Sequence, residues 1–122
     1  MGFRILVVDD SKLARTLVKN ALVDAGFEVI GEAANGREAT TMYFQLKPDV
    51  VTMDVIMPDV DGPTAAKEIL GKDSTARIIM VTSLNQQAIE TDMKSAGVRA
   101  ILTKPFEPKA LVQSIQTAMD RA

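Results

Sequence analysis

Asp49-Val50-Val51-Thr52-Met53-Asp54, continued by Val55-Ile56-Met57-Pro58-Asp59-Val60-Asp61-Gly62, is the stretch that decides the fold. A short run, almost wholly apolar and set between two acids, reads as a strand buried on both faces. Such strands belong to parallel sheets covered by helices on each side. Asp54 closes the run at the carboxyl edge, where parallel α/β sheets place their chemistry. A second run of this kind, Arg4-Ile5-Leu6-Val7-Val8, ends in Asp9 and Asp10. Three carboxylates face one crevice if these two strands are neighbours.

Outward from these runs, strands and helical patterns alternate five times. The predicted strands are Arg4 to Val8, Glu28 to Ala33, Val50 to Met53, Arg77 to Val81 and Ala100 to Thr103. The first helix carries a stripe of Leu13, Leu17 and Ala21 with Val18, Leu22 and Ala25, stopped by Gly26. Ala39, Met42, Tyr43 and Leu46 mark the second, before Pro48. The third starts at Asp61-Gly62-Pro63 and turns Ala66, Ile69 and Leu70 inward. Ile89, Met93 and Ala96 mark the fourth, ended by Gly97, and Leu111, Val112, Ile115 and Met119 the fifth, entered through Pro108. The pattern predicts a flavodoxin-like, doubly wound α/β domain with a five-stranded parallel sheet of order 2-1-3-4-5 and five helices. Right-handed crossovers put helices one and five on one face and two, three and four on the other. One domain spanning residues 1–122 is expected.

Composition narrows the chemistry. Of the 122 residues 47% are hydrophobic and 25% charged, and the net charge of -2 offers no basic footprint for nucleic acid. Neither cysteine nor histidine is present, so thiolate metal sites, disulfides and the commonest general base are excluded. No apolar run approaches the roughly 18 residues of a membrane span, and no secretory leader is recognisable, so a soluble cytoplasmic protein is expected.

At the carboxyl edge, strand one supplies Asp9 and Asp10, strand three Asp54, strand four Thr82 and Ser83, and strand five Lys104 before Pro105. Carboxylates about 4 Å apart repel by roughly 4 kcal/mol per pair at an effective dielectric near 20, so the cluster demands cations. Lys104 supplies one charge. An oxygen-only donor set suits Mg²⁺, with Mn²⁺ as a substitute. A carboxylate beside such an ion, with a lysine and a hydroxyl across from it, is arranged to receive a phosphoryl group. Asp54 would attack phosphorus, Asp10 and Asp54 would hold the ion with Asp9 orienting water on it, and Thr82 and Lys104 would bind the remaining oxygens. Simpler roles compete: Asp9, Asp10 or Ser11 as a helix cap, Thr82 and Ser83 as turn hydroxyls, Lys104 as a solvated lysine. Asp59 and Asp61 read as turn and cap residues, and the methionines as packing.

Val7-Val8-Asp9-Asp10-Ser11, the segment from Asp54 to Gly62, Val81-Thr82-Ser83 and Lys104-Pro105-Phe106 together resemble, in order and spacing, the receiver domain of two-component response regulators. Gly31-Glu32-Ala33, Asn35-Gly36-Arg37-Glu38-Ala39 and Leu46-Lys47-Pro48-Asp49 are similar to the stand-alone chemotaxis type within that family. The resemblance implies a switch rather than a turnover enzyme. Asp54 is then the phosphoacceptor, Asp9, Asp10, Asp54 and the backbone carbonyl of Ile56 the Mg²⁺ ligands, and Thr82 and Lys104 the switch hydroxyl and phosphate-binding lysine. The implied phosphodonor is a phosphohistidine on a sensor histidine kinase, and the peptide bond before Pro105 is expected to be cis. A downstream protein is implied on the surface of helix four, strand five and helix five, through Gln87, Glu90, Lys94, Arg99, Ile101, Thr103 and Ser114. A monomer or a phosphorylation-dependent dimer is expected, without direct contact to nucleic acid or membrane.

Two positions depart from the family pattern. Ile101 stands where an aromatic ring often switches rotamer, so switching is expected by aliphatic repacking of smaller amplitude or by another route. Ser83 replaces a smaller residue beside the phosphoryl site and narrows access. Ile56 and Leu84, placed to influence an attacking water, cannot hydrogen-bond it, which predicts slow autodephosphorylation. Other classes fit less well. A haloacid-dehalogenase-like phosphohydrolase would carry an acid where Ile56 stands, and a flavodoxin-like electron carrier would need a phosphate loop and more than 4% aromatic residues. A pseudo-receiver would lack one of the acids. The remaining alternative is a receiver cut from, or acting beside, a transcriptional regulator.

Overall fold

The computed structural model describes residues 2–83 and 87–120. Its strands are β1 (Arg4–Val8), β2 (Glu28–Ala33), β3 (Val50–Asp54), β4 (Ile78–Thr82) and β5 (Ala100–Thr103). The helices are α1 (Lys12–Asp24), α2 (Gly36–Leu46), α3 (Gly62–Lys72), α4 (Gln87–Ala96) and α5 (Pro108–Asp120). All strand pairs are parallel, in the order β2-β1-β3-β4-β5. The predicted architecture therefore holds, and β1 and β3 are neighbours.

Strand periodicity explains why nearly every strand residue is apolar. Leu6, Val8, Val51, Met53, Ile78 and Met80 point to one core, beneath α2, α3 and α4. Ile5, Val7, Val50, Ile79 and Val81 point to the other, where Val18 and Leu22 of α1 meet Leu111 and Ile115 of α5. Each fully buried large side chain removes apolar area worth about 1.5–3 kcal/mol from water. The helix partition predicted from crossover handedness is the one observed.

Two readings are corrected. Strand four runs one residue later than predicted: Arg77 lies outside it, although its carbonyl accepts from Val51 N–H at 2.9 Å. Thr82 is consequently the last strand residue rather than the first turn residue. Leu13 and Leu17, read as part of the inward stripe of α1, are 70% and 61% exposed. A helix of 3.6 residues per turn cannot turn both Leu17 and Val18–Leu22 fully into one groove, and the Val18–Leu22 row wins.

Caps delimit the helices as their sequences require. Ser11, Asn35 and Asp61 each accept from the backbone N–H three residues on, at 3.2, 2.9 and 2.9 Å. Gly26 (φ 92°) and Gly97 (φ 109°) follow α1 and α4 with the left-handed backbone that glycine tolerates. At the amino edge of the sheet, the Tyr43 hydroxyl donates to Asp73 Oδ2 at 2.6 Å and ties α2 to the turn after α3. Burial and the neighbouring carboxylate push the phenol well above its ordinary value of 10.0. Unfolding releases that phenol to its ordinary value, so its contribution to stability is complete below pH 10.0 and is lost as pH climbs from there through the folded-state value. Tyr43 is the one tyrosine in the chain, so phenolate absorbance reads it directly. Ionisation should be delayed in the folded protein relative to the urea-unfolded chain, and Tyr43→Phe should remove that part of the alkaline loss of stability.

Candidate functional site

The crevice is built from strand ends. Asp54 is the last residue of β3, and β1 beside it delivers Asp9 and Asp10 one and two residues past its end. One carboxylate oxygen from each of Asp9, Asp10 and Asp54 lies within 4.8 Å of the others. The predicted convergence is thus present. Capping does not consume these acids, because Ser11 caps α1.

The acids differ in environment. Asp9 is buried: its Oδ1 accepts from Ser11 N–H at 2.9 Å and its Oδ2 from Lys104 Nζ at 2.9 Å. Asp10 is exposed at the mouth. Asp54 is half-buried, its Oδ1 accepting from Val55 N–H at 2.8 Å and its Oδ2 standing 3.7 Å from Lys104 Nζ. Burial, reinforced by the negative charge of Asp9, holds the Asp54 carboxyl above the ordinary carboxylate range, against the opposing pull of Lys104 and the Val55 N–H. Burial alone would lower the Lys104 ammonium, but the Asp9 hydrogen bond and the charges of Asp54, Asp9 and Asp10 outweigh it and leave it raised. One lysine therefore serves three acids. The remaining negative charge and the all-oxygen donor set fit a hard divalent cation.

The fourth and fifth strands close the far wall. Thr82 is buried at the end of β4 and pairs in register with Thr103. Its carbonyl accepts from Lys104 N–H at 2.7 Å, which fixes the lysine relative to the hydroxyl. The Lys104–Pro105 bond is cis, as expected. Ile56 exposes its side chain between buried Val55 and Met57. Leu84 lies outside the described residues.

Packing behind Asp54 explains the Asp61-Gly62 pair. A Cβ on Gly62 would overlap the carbonyl oxygen of Asp54, while its N–H donates to Val55 O at 2.9 Å. Gly36 is held the same way: its N–H donates to Val60 O at 2.8 Å, and a Cβ there would overlap that oxygen. Asp61 caps α3 and Asp59 adopts a left-handed turn conformation (φ 70°), the roles read from the sequence.

Away from the crevice, Lys94, Arg99, Ile101 and Ser114 line one hollow of about 720 Å³ between α4, β5 and α5. Gln87 and Glu90 line a neighbouring one with Lys94, whose ammonium is 3.4 Å from Glu90. Thr103 is exposed at the end of β5 and lines neither hollow. The sequence reading missed an apolar groove of about 550 Å³ beside Lys104, between Leu17 and Val18 of α1 and Pro105 and Phe106. Its signal was the excess of leucine on α1, more than one core-facing row can use.

Residues 5–116 match the response regulator receiver domain family. The chain belongs to that family. The receiver is 44% identical to the chemotaxis protein CheY of Thermotoga maritima over 94% of this chain and 96% of that one. It is 42% identical to CheY of Bacillus subtilis over 98% and 100% of the two chains. Its fold is similar to that in a crystal structure of a CheX-CheY-BeF3-Mg complex from Borrelia burgdorferi, with a TM-score of 0.92, 31% identity and coverage of 94% and 87%. As a member of this family, the receiver is a phosphorylation-activated signalling switch.

The close packing of Gly62 on the Asp54 backbone has a measurable consequence. Gly62→Ala should destabilise the receiver by about 1–3 kcal/mol in urea unfolding, since backbone rather than a flexible side chain must move. The exposed Thr64→Ala change, in the same helical turn, should leave stability nearly unchanged.

Proposed function

We propose that Asp54 is the phosphoacceptor of a CheY-type regulator in a chemotaxis-like two-component pathway. The observation that carries this reading is the convergence of Asp9, Asp10 and Asp54 on one point with Lys104 bridging two of them. A carboxylate oxygen of Asp54 attacks phosphorus of a kinase phosphohistidine. The P–N bond breaks, the imidazole leaves with its electron pair, and an acyl phosphate remains on Asp54. Mg²⁺, held by Asp9, Asp10, Asp54 and the backbone carbonyl of Ile56, would neutralise phosphoryl oxygens as charge builds. Lys104 exchanges its carboxylate contacts for a phosphoryl oxygen, and the Thr82 hydroxyl takes another. Ile56 has no polar side-chain atom, so it offers the ion only its backbone carbonyl.

The donor is a sensor histidine kinase, whose phosphohistidine domain would cover the apolar groove at Leu17 and Phe106 while reaching Asp54. The added charge then favours a second arrangement of Thr82 and Ile101, by the difference in its interaction with the two states, and alters the α4-β5-α5 face on which Glu90, Lys94, Arg99, Ile101 and Thr103 meet a downstream protein. Ile101 packs against the α2–α4 core, so the repacking is aliphatic. No described helix is long and apolar enough to cross a membrane, consistent with action in the cytoplasm.

Incubation with Mg²⁺ and acetyl phosphate should add one phosphoryl mass to the wild-type chain and none to Asp54→Asn, read by intact-mass spectrometry. Equal labelling of both would place the phosphoacceptor elsewhere. The acyl phosphate should also be long-lived, because the exposed Ile56 side chain cannot hydrogen-bond water. Ile56→Asn should shorten its half-life, measured by loss of the labelled mass after removal of the donor. A half-life unchanged or longer would count against that role.

A further inference from the structure

Asp9 is the most enclosed of the three acids, and its backbone is held from both sides. Its N–H donates to Ala33 O at 3.0 Å. Its carbonyl, preceding α1 and outside the helix's own hydrogen-bond pattern, accepts from Arg15 at 2.7 Å. A buried carbonyl without a donor is costly, so this guanidinium satisfies a group that the helix leaves open. Arg15 is itself aimed: its Nε stands 3.2 Å from Glu32 Oε1, near the end of the edge strand β2, and its side chain is only 16% exposed. Lys19, one turn further along α1, reaches the other Glu32 oxygen at 3.7 Å but makes no contact with Asp9.

We propose that Arg15, oriented by Glu32, is a positioning residue that sets the Asp9-Asp10 carboxylates for Mg²⁺. The proposal rests on the reading of the acid crevice as a Mg²⁺ site. With Arg15 in place, the peptide that joins Asp9 to Asp10 is pinned at its oxygen. The buried Asp9 side chain and the exposed Asp10 side chain then keep a fixed separation from Asp54. Without it, that peptide can rotate and swing Asp10 away from the other two acids.

Charge and positioning predict opposite signs, which makes the proposal testable. Removing a cation near an acid cluster tightens cation binding if only the long-range field matters, whereas loss of an outer partner of metal-binding groups weakens it, typically by tenfold or more. Calorimetric titration of Mg²⁺ should therefore give about tenfold weaker binding for Arg15→Ala than for wild type. Arg15→Lys, able to reach the carbonyl but not the carbonyl and Glu32 together in one planar fork, should recover part of the loss. Lys19→Ala, which removes the same charge from the same glutamate without touching Asp9, should bind no more weakly than wild type.

In acetyl phosphate labelling, Arg15→Ala should need about tenfold more Mg²⁺ for half-maximal rate and should approach the wild-type rate at saturation. A merely structural role would lower the saturated rate as well. Thermal unfolding of each variant establishes that it is folded. If Arg15→Ala fails to fold, Arg15→Lys, which keeps the charge, carries the test and should bind Mg²⁺ more weakly than wild type. Binding by Arg15→Ala equal to or tighter than wild type, or weakening by Lys19→Ala of the same size, would overturn the proposal while leaving the Mg²⁺ site intact. Wild-type protein that takes up no Mg²⁺, or that binds it equally well as Asp10→Asn, would overturn the reading of the crevice and the proposal with it.

Discussion

Everything in this molecule is arranged around an electrostatic debt at one edge of the sheet. One oxygen from each of three carboxylates is brought within 4.8 Å of the others, and the Lys104 ammonium just past β5 answers two of them directly. No isolated segment would hold such a cluster, because repulsion of a few kcal/mol per pair opposes it. The folded chain does so because the two strands that carry the acids are locked side by side by cores above and below. The same enclosure, deepest at Asp9, weakens the screening of these charges by water.

Much of this was legible in the chain because the deciding signals are local. Alternating β-branched runs and amphipathic helices specify the parallel sheet, and acids at the ends of two strands become neighbours as soon as the strand order is known. Asp59 and Asp61 could be set aside as turn and cap residues from their place before Gly62 and Pro63. What the chain did not disclose depends on partners distant in sequence. Lys104 reaches back 95 residues to Asp9, and nothing near Lys104 says whether it meets that acid or Asp54 more closely. Arg15 is an ordinary helix residue until β2 brings Glu32 beside it. The start of β4 slipped by one because the Arg77 carbonyl accepts from the Val51 N–H of β3 without Arg77 completing a ladder pair.

The exposure of Leu13 and Leu17 teaches a related point. Periodicity identifies α1 as a helix with apolar residues on more than one row, but it cannot say which row is buried. The row that wins is the one that meets α5 and β1, namely Val18 and Leu22. Leu17 of the other row is left lining an apolar groove that adjoins Lys104. Surplus hydrophobicity on a helix next to a reactive group is thus informative even though it contributes little to the core.

The paired glycines behind Asp54 set a direction for motion. Gly36 and Gly62 press backbone against backbone with no space for a methyl group, packing the starts of α2 and α3 onto the segment that follows β3. On the other flank, the ends of β4 and β5 are joined by the hydrogen bond from Lys104 N–H to Thr82 O. A shift of Asp54 toward Gly62 meets backbone rather than a side chain that could turn aside. The turns that open α2 and α3 are therefore wedged in place and cannot take up movement of Asp54 by compressing.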